Sequence, residues 1–262
     1  MKKKIHIIGR GLDPDKHLTL DAVRALQKSD MIIGIEPEEA TWLKLSKEFQ
    51  FPIVKDISRL YKNGHQDLDN YQRYIDYIAE LSQHYSTISL LVAGHHRLGV
   101  SFITLRCDDP RFSSFEIESI DGISSFAVMT NDLNFDPLER GTGLLDANRL
   151  LLFDFALEPA YNYFIYHICS VATPKTNFAN PSESNKLWLL QEFLLKYYSP
   201  EKEMHLVKAS NGSIDQANRI TFKLQNMQDI NDQVSFSSTL FIPAENPSRF
   251  NKTIFNYLRF TT

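Results

Sequence analysis

The chain opens with an unbroken apolar run, Ile5–Gly9, then a glycine-hinged loop, an amphipathic segment and a second apolar run, Met31–Ile35. Short continuous runs of this kind predict strands of a parallel sheet covered on both faces. Thr19 predicts a helix N-cap, with Leu20, Ala22, Val23, Ala25 and Leu26 along one face of a helix Leu20–Lys28. The alternation continues with strands at Ile53–Ile57, Ile88–Ala93 and Phe115–Ile120, separated by helical patterns at Ala40–Glu48, Asn70–His84 and Ser124–Leu133. Strands alternating with helices predict an α/β fold.

A turn-rich stretch, Leu138–Gly143, follows Asp136-Pro137 and suggests a link between two α/β domains, residues 1–136 and 137–262. The second half reads as strand Leu150–Phe155, helix Ala160–Val171, a polar loop Pro174–Ser184 and helix Leu187–Tyr198. Strands Met204–Ala209, Arg219–Leu224 and Ser237–Pro243 follow, the last central because it is so apolar, with a closing helix Lys252–Leu258. Two α/β halves with a cleft between them is the economical architecture.

Composition narrows the partners. A net charge of -4 over 262 residues gives no general basic character, so nucleic acid is not favoured. Met1-Lys-Lys-Lys has the look of a secretory n-region, but Gly9 to Lys16 interrupts the apolar stretch too early for a signal peptide. No run approaches the roughly 20 apolar residues of a membrane span. The two cysteines, Cys107 and Cys169, provide neither a disulfide framework nor a metal cluster, and a cytoplasmic setting is expected.

Three strand-to-loop junctions carry the chemistry. Gly9-Arg10-Gly11 allows close backbone approach, yet a dinucleotide fingerprint would need a third glycine where Pro14 stands. Leu90–Val100 runs from a strand into Gly94-His95-His96-Arg97-Leu98-Gly99. Neighbouring histidines seldom share an ion, and no Cys, Asp or Glu falls at ligand spacing in that loop, so no metal is expected. In Asp121-Gly122-Ile123-Ser124-Ser125 a serine can cap the following helix. A nucleophile elbow would need a second glycine after the serine. If the strands are parallel, these loops share one edge of the sheet and form a ligand crevice.

In this order the motifs resemble the tetrapyrrole methylase superfamily, S-adenosylmethionine-dependent methyltransferases of two α/β domains. Gly9-Arg10-Gly11 with Leu18-Thr19, Gly94-His95, and Gly122-Ile123-Ser124-Ser125 stand where that superfamily carries its motifs. The layout is most similar to the borosin-type peptide backbone N-methyltransferases, a resemblance extending through Gln216–Ile220 and Ser238–Pro243. With no apolar core peptide in its C-terminal segment, the chain resembles stand-alone enzymes acting on a separate precursor peptide.

The resemblance implies a homodimer with S-adenosylmethionine bound near Gly9, Gly11, Gly94, His95, Val100, Ser124, His167, Ser238 and Thr239, where His167 replaces the family's glutamine. It implies catalytic tyrosines at Tyr61 and Tyr71, with Asp67 where the family's arginine would fall. A backbone amide is a poor nucleophile, so such an enzyme must remove a proton and stabilise charge on the carbonyl oxygen. A carboxylate cannot supply that stabilisation. Arg73 would point to another side of the helix, which leaves His65 as a substitute donor. Asp121 replaces a family proline, and Ala93 a tyrosine. Two alternatives stand beside peptide methylation: methylation of a tetrapyrrole, and a catalytically degenerate methyltransferase fold kept as a binding module.

Overall fold

The computed structural model describes residues 3–35, 38–100, 109–210 and 219–258. Cys107 and Gln216–Asn218 lie outside them.

The first half forms a five-stranded parallel sheet in the order β3-β2-β4-β1-β5. Its strands are β1 Lys3–Gly9, β2 Met31–Gly34, β3 Val54–Asp56, β4 Thr87–Val92 and β5 Phe115–Ile120. Helices α2 (Leu20–Gln27) and α3 (Glu39–Phe49) cover one face. Ala22, Leu26, Trp42 and Leu45 bury Ile8, Ile32 and Leu91 there. Helix α4 (Asp67–Leu81) covers the other, placing Tyr74, Ile75 and Ile78 on Ile5, Ile7, Ile33 and Leu90. Polar residues within the strands are paired, as burial requires: Ser89 lies 3.2 Å from His6 Nδ1 and 2.6 Å from the Ser29 hydroxyl.

The second half forms a mixed sheet in the order β6-β7-β10-β8-β9. Its strands are β6 Thr142–Asp146, β7 Asn162–Tyr166, β8 Glu203–Lys208, β9 Arg219–Lys223 and β10 Ser238–Ile242. Among the described residues of this sheet, only β6 and β7 pair in parallel. Strand β10 is central and entirely buried, as its apolarity foretold. Helix α5 (Ser125–Leu133) follows β5 but packs across, setting Met129 and Phe126 on Phe164, Val207 and Phe241 of the second sheet. Asp132 of α5 also accepts hydrogen bonds from the Ser210 N–H and hydroxyl at 3.0 and 2.9 Å.

Two expected elements exchange identity. Leu150–Phe155 is not a strand: helix α6 spans Ala147–Leu152. Ala160–Val171 is not a helix: it contains β7 and a 3-10 turn at Ile168–Ser170. The cause lies in caps and propensity. The Asp146 carboxylate accepts the Arg149 N–H at 2.8 Å and starts α6, which buries Ala147 and Leu150 while Leu152 faces solvent. Tyr163, Phe164 and Ile165 are aromatic and β-branched residues that suit a buried strand. Part of the expected link is strand as well, because β6 begins at Thr142. Short helix α1 (Pro14–His17) lies between the first loop and α2, and helices α7 (Leu187–Leu194) and α8 (Lys252–Leu258) complete the chain. Among the described residues no helix is long and apolar enough to cross a membrane.

Candidate active site

Strands β4, β1 and β5 are neighbours and end level, with Gly9 opposite Val92 and Ile8 opposite Ile120. Their three loops therefore emerge together at the carboxyl edge of the sheet, where open α/β sheets bind ligands. Contact is backbone on backbone. A Cβ on Gly9 would lie 2.7 Å from the Gly94 carbonyl oxygen and 2.8 Å from the Gly122 nitrogen; one on Gly122 would run into the Gly9 carbonyl. Gly11 and Gly94, both at φ +68°, exchange hydrogen bonds of 3.2 and 2.9 Å. The next two N–H groups, of Leu12 and Asp13, both donate to His17 Nδ1 at 3.2 Å. Sequence reasoning missed that role of His17, which α1 turns back onto its own loop.

Ser124 caps α5, its hydroxyl accepting the Ala127 N–H at 3.2 Å, as Thr19 does for Ala22 at the start of α2. His95 Nδ1 accepts the Arg97 N–H at 3.1 Å, and its Nε2 lies 3.3 Å from Asp121. Its ring stacks on buried His96 at 4.7 Å, with planes 17° apart. His95, His96 and Asp121 offer ligand atoms within 4.8 Å of one another. Near-parallel rings cannot both aim in-plane lone pairs at one ion, so the arrangement reads as a stacked pair bonded to an acid.

Val100, Tyr61 and Tyr71 all pack on the core of the first sheet beside α4. Ser238 and Thr239 are buried at the start of β10, opposite Lys208 and Val207, and the Ser238 hydroxyl accepts the Ser235 N–H at 2.9 Å. His167 follows β7 in the left-handed region at φ 58°, and its Nδ1 lies 2.6 Å from Asp146. Its Nε2 edge faces the loop after β4: a Cβ on Gly99 would sit 3.2 Å away. A cavity of about 600 Å³ is lined by Phe178, Asn180, Lys208, Arg219 and Val234, and not by the glycine loops.

Asp67, the first residue of α4, is fully engaged. It accepts the Tyr61 hydroxyl at 2.7 Å, the Thr176 N–H at 3.0 Å and the Thr176 hydroxyl at 2.8 Å, while its own N–H donates to Pro174 at 2.8 Å. Burial, and then this hydrogen bond to Asp67, push the Tyr61 phenol far above its ordinary range. Burial, then Asp67, Cys169 and Asp146, push Tyr71 up to about 12. Both phenols stay protonated at neutral pH and are able to donate a hydrogen bond. Arg73 bonds to Asn70 and lies 3.4 Å from His65 Nδ1.

Two sheets of this topology are shared with solved tetrapyrrole methyltransferases. The chain superposes on uroporphyrin-III C-methyltransferase from Thermus thermophilus with a TM-score of 0.62, at 14% identity over 92% of each chain. It superposes on the methyltransferase CobJ with the same TM-score, at 11% identity over 95% of this chain and 97% of that one. A Thermus thermophilus structure complexed with S-adenyl homocysteine gives 0.61, at 14% identity, 91% of this chain and 96% of that one.

In sequence, the chain is similar to borosin proteins. It is 24% identical over 241 residues to a methyltransferase/type II borosin cyclic peptide precursor of Phlebiopsis gigantea, covering 90% of this chain and 42% of that relative. A type I counterpart from Coprinopsis marcescibilis is 21% identical over 248 residues, covering 94% and 63%. The chain thus spans about half the length of these curated relatives. No family model matches it.

Proposed function

We propose that this chain is an S-adenosylmethionine-dependent methyltransferase whose acceptor is a backbone amide of a separate peptide. The observation that carries the reading is the meeting of Gly9, Gly94 and Gly122 at one sheet edge, in a fold shared with a protein solved with S-adenyl homocysteine. Gly9, Gly11, Gly94, His95, Val100, Ser124, Ser238 and Thr239 hold the donor. The donor is an activated sulfonium, so catalysis consists of in-line positioning and removal of the acceptor's proton. Tyr71 donates to the acceptor's carbonyl oxygen. The Asp67 carboxylate holds Tyr61 and the Thr176 segment in place.

Titration calorimetry with S-adenosylmethionine and S-adenosylhomocysteine tests the donor assignment. Saturable heat is expected, and none with either at millimolar concentration defeats it. Mass spectrometry after co-expression with a candidate precursor peptide tests the acceptor. Asp67, engaged where an oxyanion partner is needed, favours a second reading: a binding module that keeps the fold without turnover. Donor binding with no methylated peptide would support that reading. A second copy is the proposed partner, since Leu152, Phe153 and Phe155 expose apolar surface beyond α6; light scattering reads the oligomeric state.

A further inference from the structure

The Tyr61 and Tyr71 phenols are held protonated, so the site needs another group to take the acceptor's proton. Asp146 and His167 supply one. The two oxygens of Asp146 have separate tasks: Oδ1 accepts the Arg149 N–H at 2.8 Å and Oδ2 faces His167 Nδ1 at 2.6 Å. The helix start thus fixes the carboxylate, and the carboxylate fixes the imidazole. A carboxylate only accepts, so Nδ1 carries the hydrogen and Nε2 keeps its lone pair in the neutral ring.

That Nε2 edge is turned toward Gly99, on the loop after β4 that continues from Gly94. Among the described residues Nε2 makes no hydrogen bond of its own, and the His167 side chain remains about a quarter exposed (26%). The geometry is also maintained against backbone preference, because a non-glycine residue at φ 58° is uncommon. Asp146 also raises the Tyr71 phenol through its charge. Burial pushes the Asp146 carboxyl up, but the hydrogen bonds from His167 and Arg149 outweigh it and hold the group below its usual range.

We infer that the Asp146–His167 pair is the proton acceptor of this site, with His167 as the base and Asp146 as its positioning residue. The inference rests on the proposed methyl transfer. The acceptor's nitrogen lone pair forms a bond to the sulfonium methyl carbon, and the carbon–sulfur bond breaks with its electron pair going to sulfur. S-adenosylhomocysteine leaves as a neutral thioether. The proton from nitrogen goes to His167 Nε2, and the imidazolium, paired with Asp146, releases it to water.

Two measurements on the full chain test this without an identified acceptor. Long-range proton–nitrogen correlation of the imidazoles, with His167→Gln identifying the signal, is expected to show His167 protonated at Nδ1. Diethyl pyrocarbonate, with peptide mapping of the wild-type chain, is expected to modify His167 in the native state. An Nε2-protonated tautomer, or a His167 modified only after unfolding in urea, overturns the proposal. Calorimetry with S-adenosylhomocysteine separates base from donor contact: His167→Ala, which leaves no polar group at this position, is expected to bind within about threefold of wild type, and a loss of about tenfold or more assigns the ring to the donor and overturns the base role. A wild-type chain without heat removes the methyl-transfer reading and the base role together, whatever the tautomer.

Discussion

Gly122 lies directly against Gly9, so that a Cβ on Gly122 would run into the Gly9 carbonyl and come within 2.6 Å of the Gly94 carbonyl oxygen. No flexible side chain is available to yield; three stretches of backbone would have to separate. Gly122→Ala is expected to cost about 1–3 kcal/mol, the range for overpacking a rigid interior. Gly64 is the control, with φ +75° and nothing within 4 Å of an added Cβ. Gly64→Ala carries only the left-handed penalty of about 1–2 kcal/mol. Urea unfolding measures both, and only Gly122→Ala should also weaken S-adenosylhomocysteine binding.

Asp67→Ala removes the acceptor of both Thr176 donors and the shorter of two acceptors of the Tyr61 hydroxyl, whose other is the Thr176 carbonyl at 3.3 Å. A loss of about 1–3 kcal/mol is expected from the donors left behind. The Tyr61 phenol should also titrate lower than in wild type, because Asp67 raises it through both a hydrogen bond and its charge. Spectrophotometric titration near the phenolate band, against Tyr61→Phe, reads the difference.

Three buried histidines are expected to oppose folding in acid. Burial is the first cause of a lowered pKa in His6, His96 and His205, and His205 falls to about 4, assisted by Arg219. Arg219 lies 3.0 Å from His205 Nε2. Between the ordinary histidine value of about 6.5 and these lowered values, the unfolded chain binds more protons than the folded one. Stability therefore rises with pH through this window and is lost as pH falls toward about 4. Thermal unfolding from pH 7 to 4.5 should show a falling Tm, with a shallower slope in His205→Gln.

Cys169 is buried, and burial pushes its thiol up to about 11. The thiolate is the reactive species. Iodoacetamide at pH 8 should leave Cys169 unlabelled in the native chain and label it in urea, as peptide mapping will report.

The first half was legible because its local signals agree. Strands β1, β2 and β4 are built on short apolar runs, Thr19 and Ser124 cap their helices as read, and a parallel sheet brings the three glycine loops to one edge. Around Asp146 the signals conflict. Leu150, Leu151 and Leu152 read as a strand by hydropathy, yet leucine favours helices and the Asp146 cap decides the outcome. The pairing of Asp146 with His167 could not be read from sequence spacing, because parallel pairing of β6 with β7 creates it. Asp67 was visible as a departure from the family pattern. Its partner Thr176 lay in a loop that carried no signal of its own.

Helix α5 has a further meaning for how the chain can be divided. It arises from the first sheet but buries Phe126 and Met129 against Phe164 and Phe241 of the second. A fragment ending at Asp136 would carry those apolar side chains bare, and its complement would lack the cover of one sheet face. The border drawn along the sequence is therefore not a seam in space, and recombination there would inherit a wound on each side.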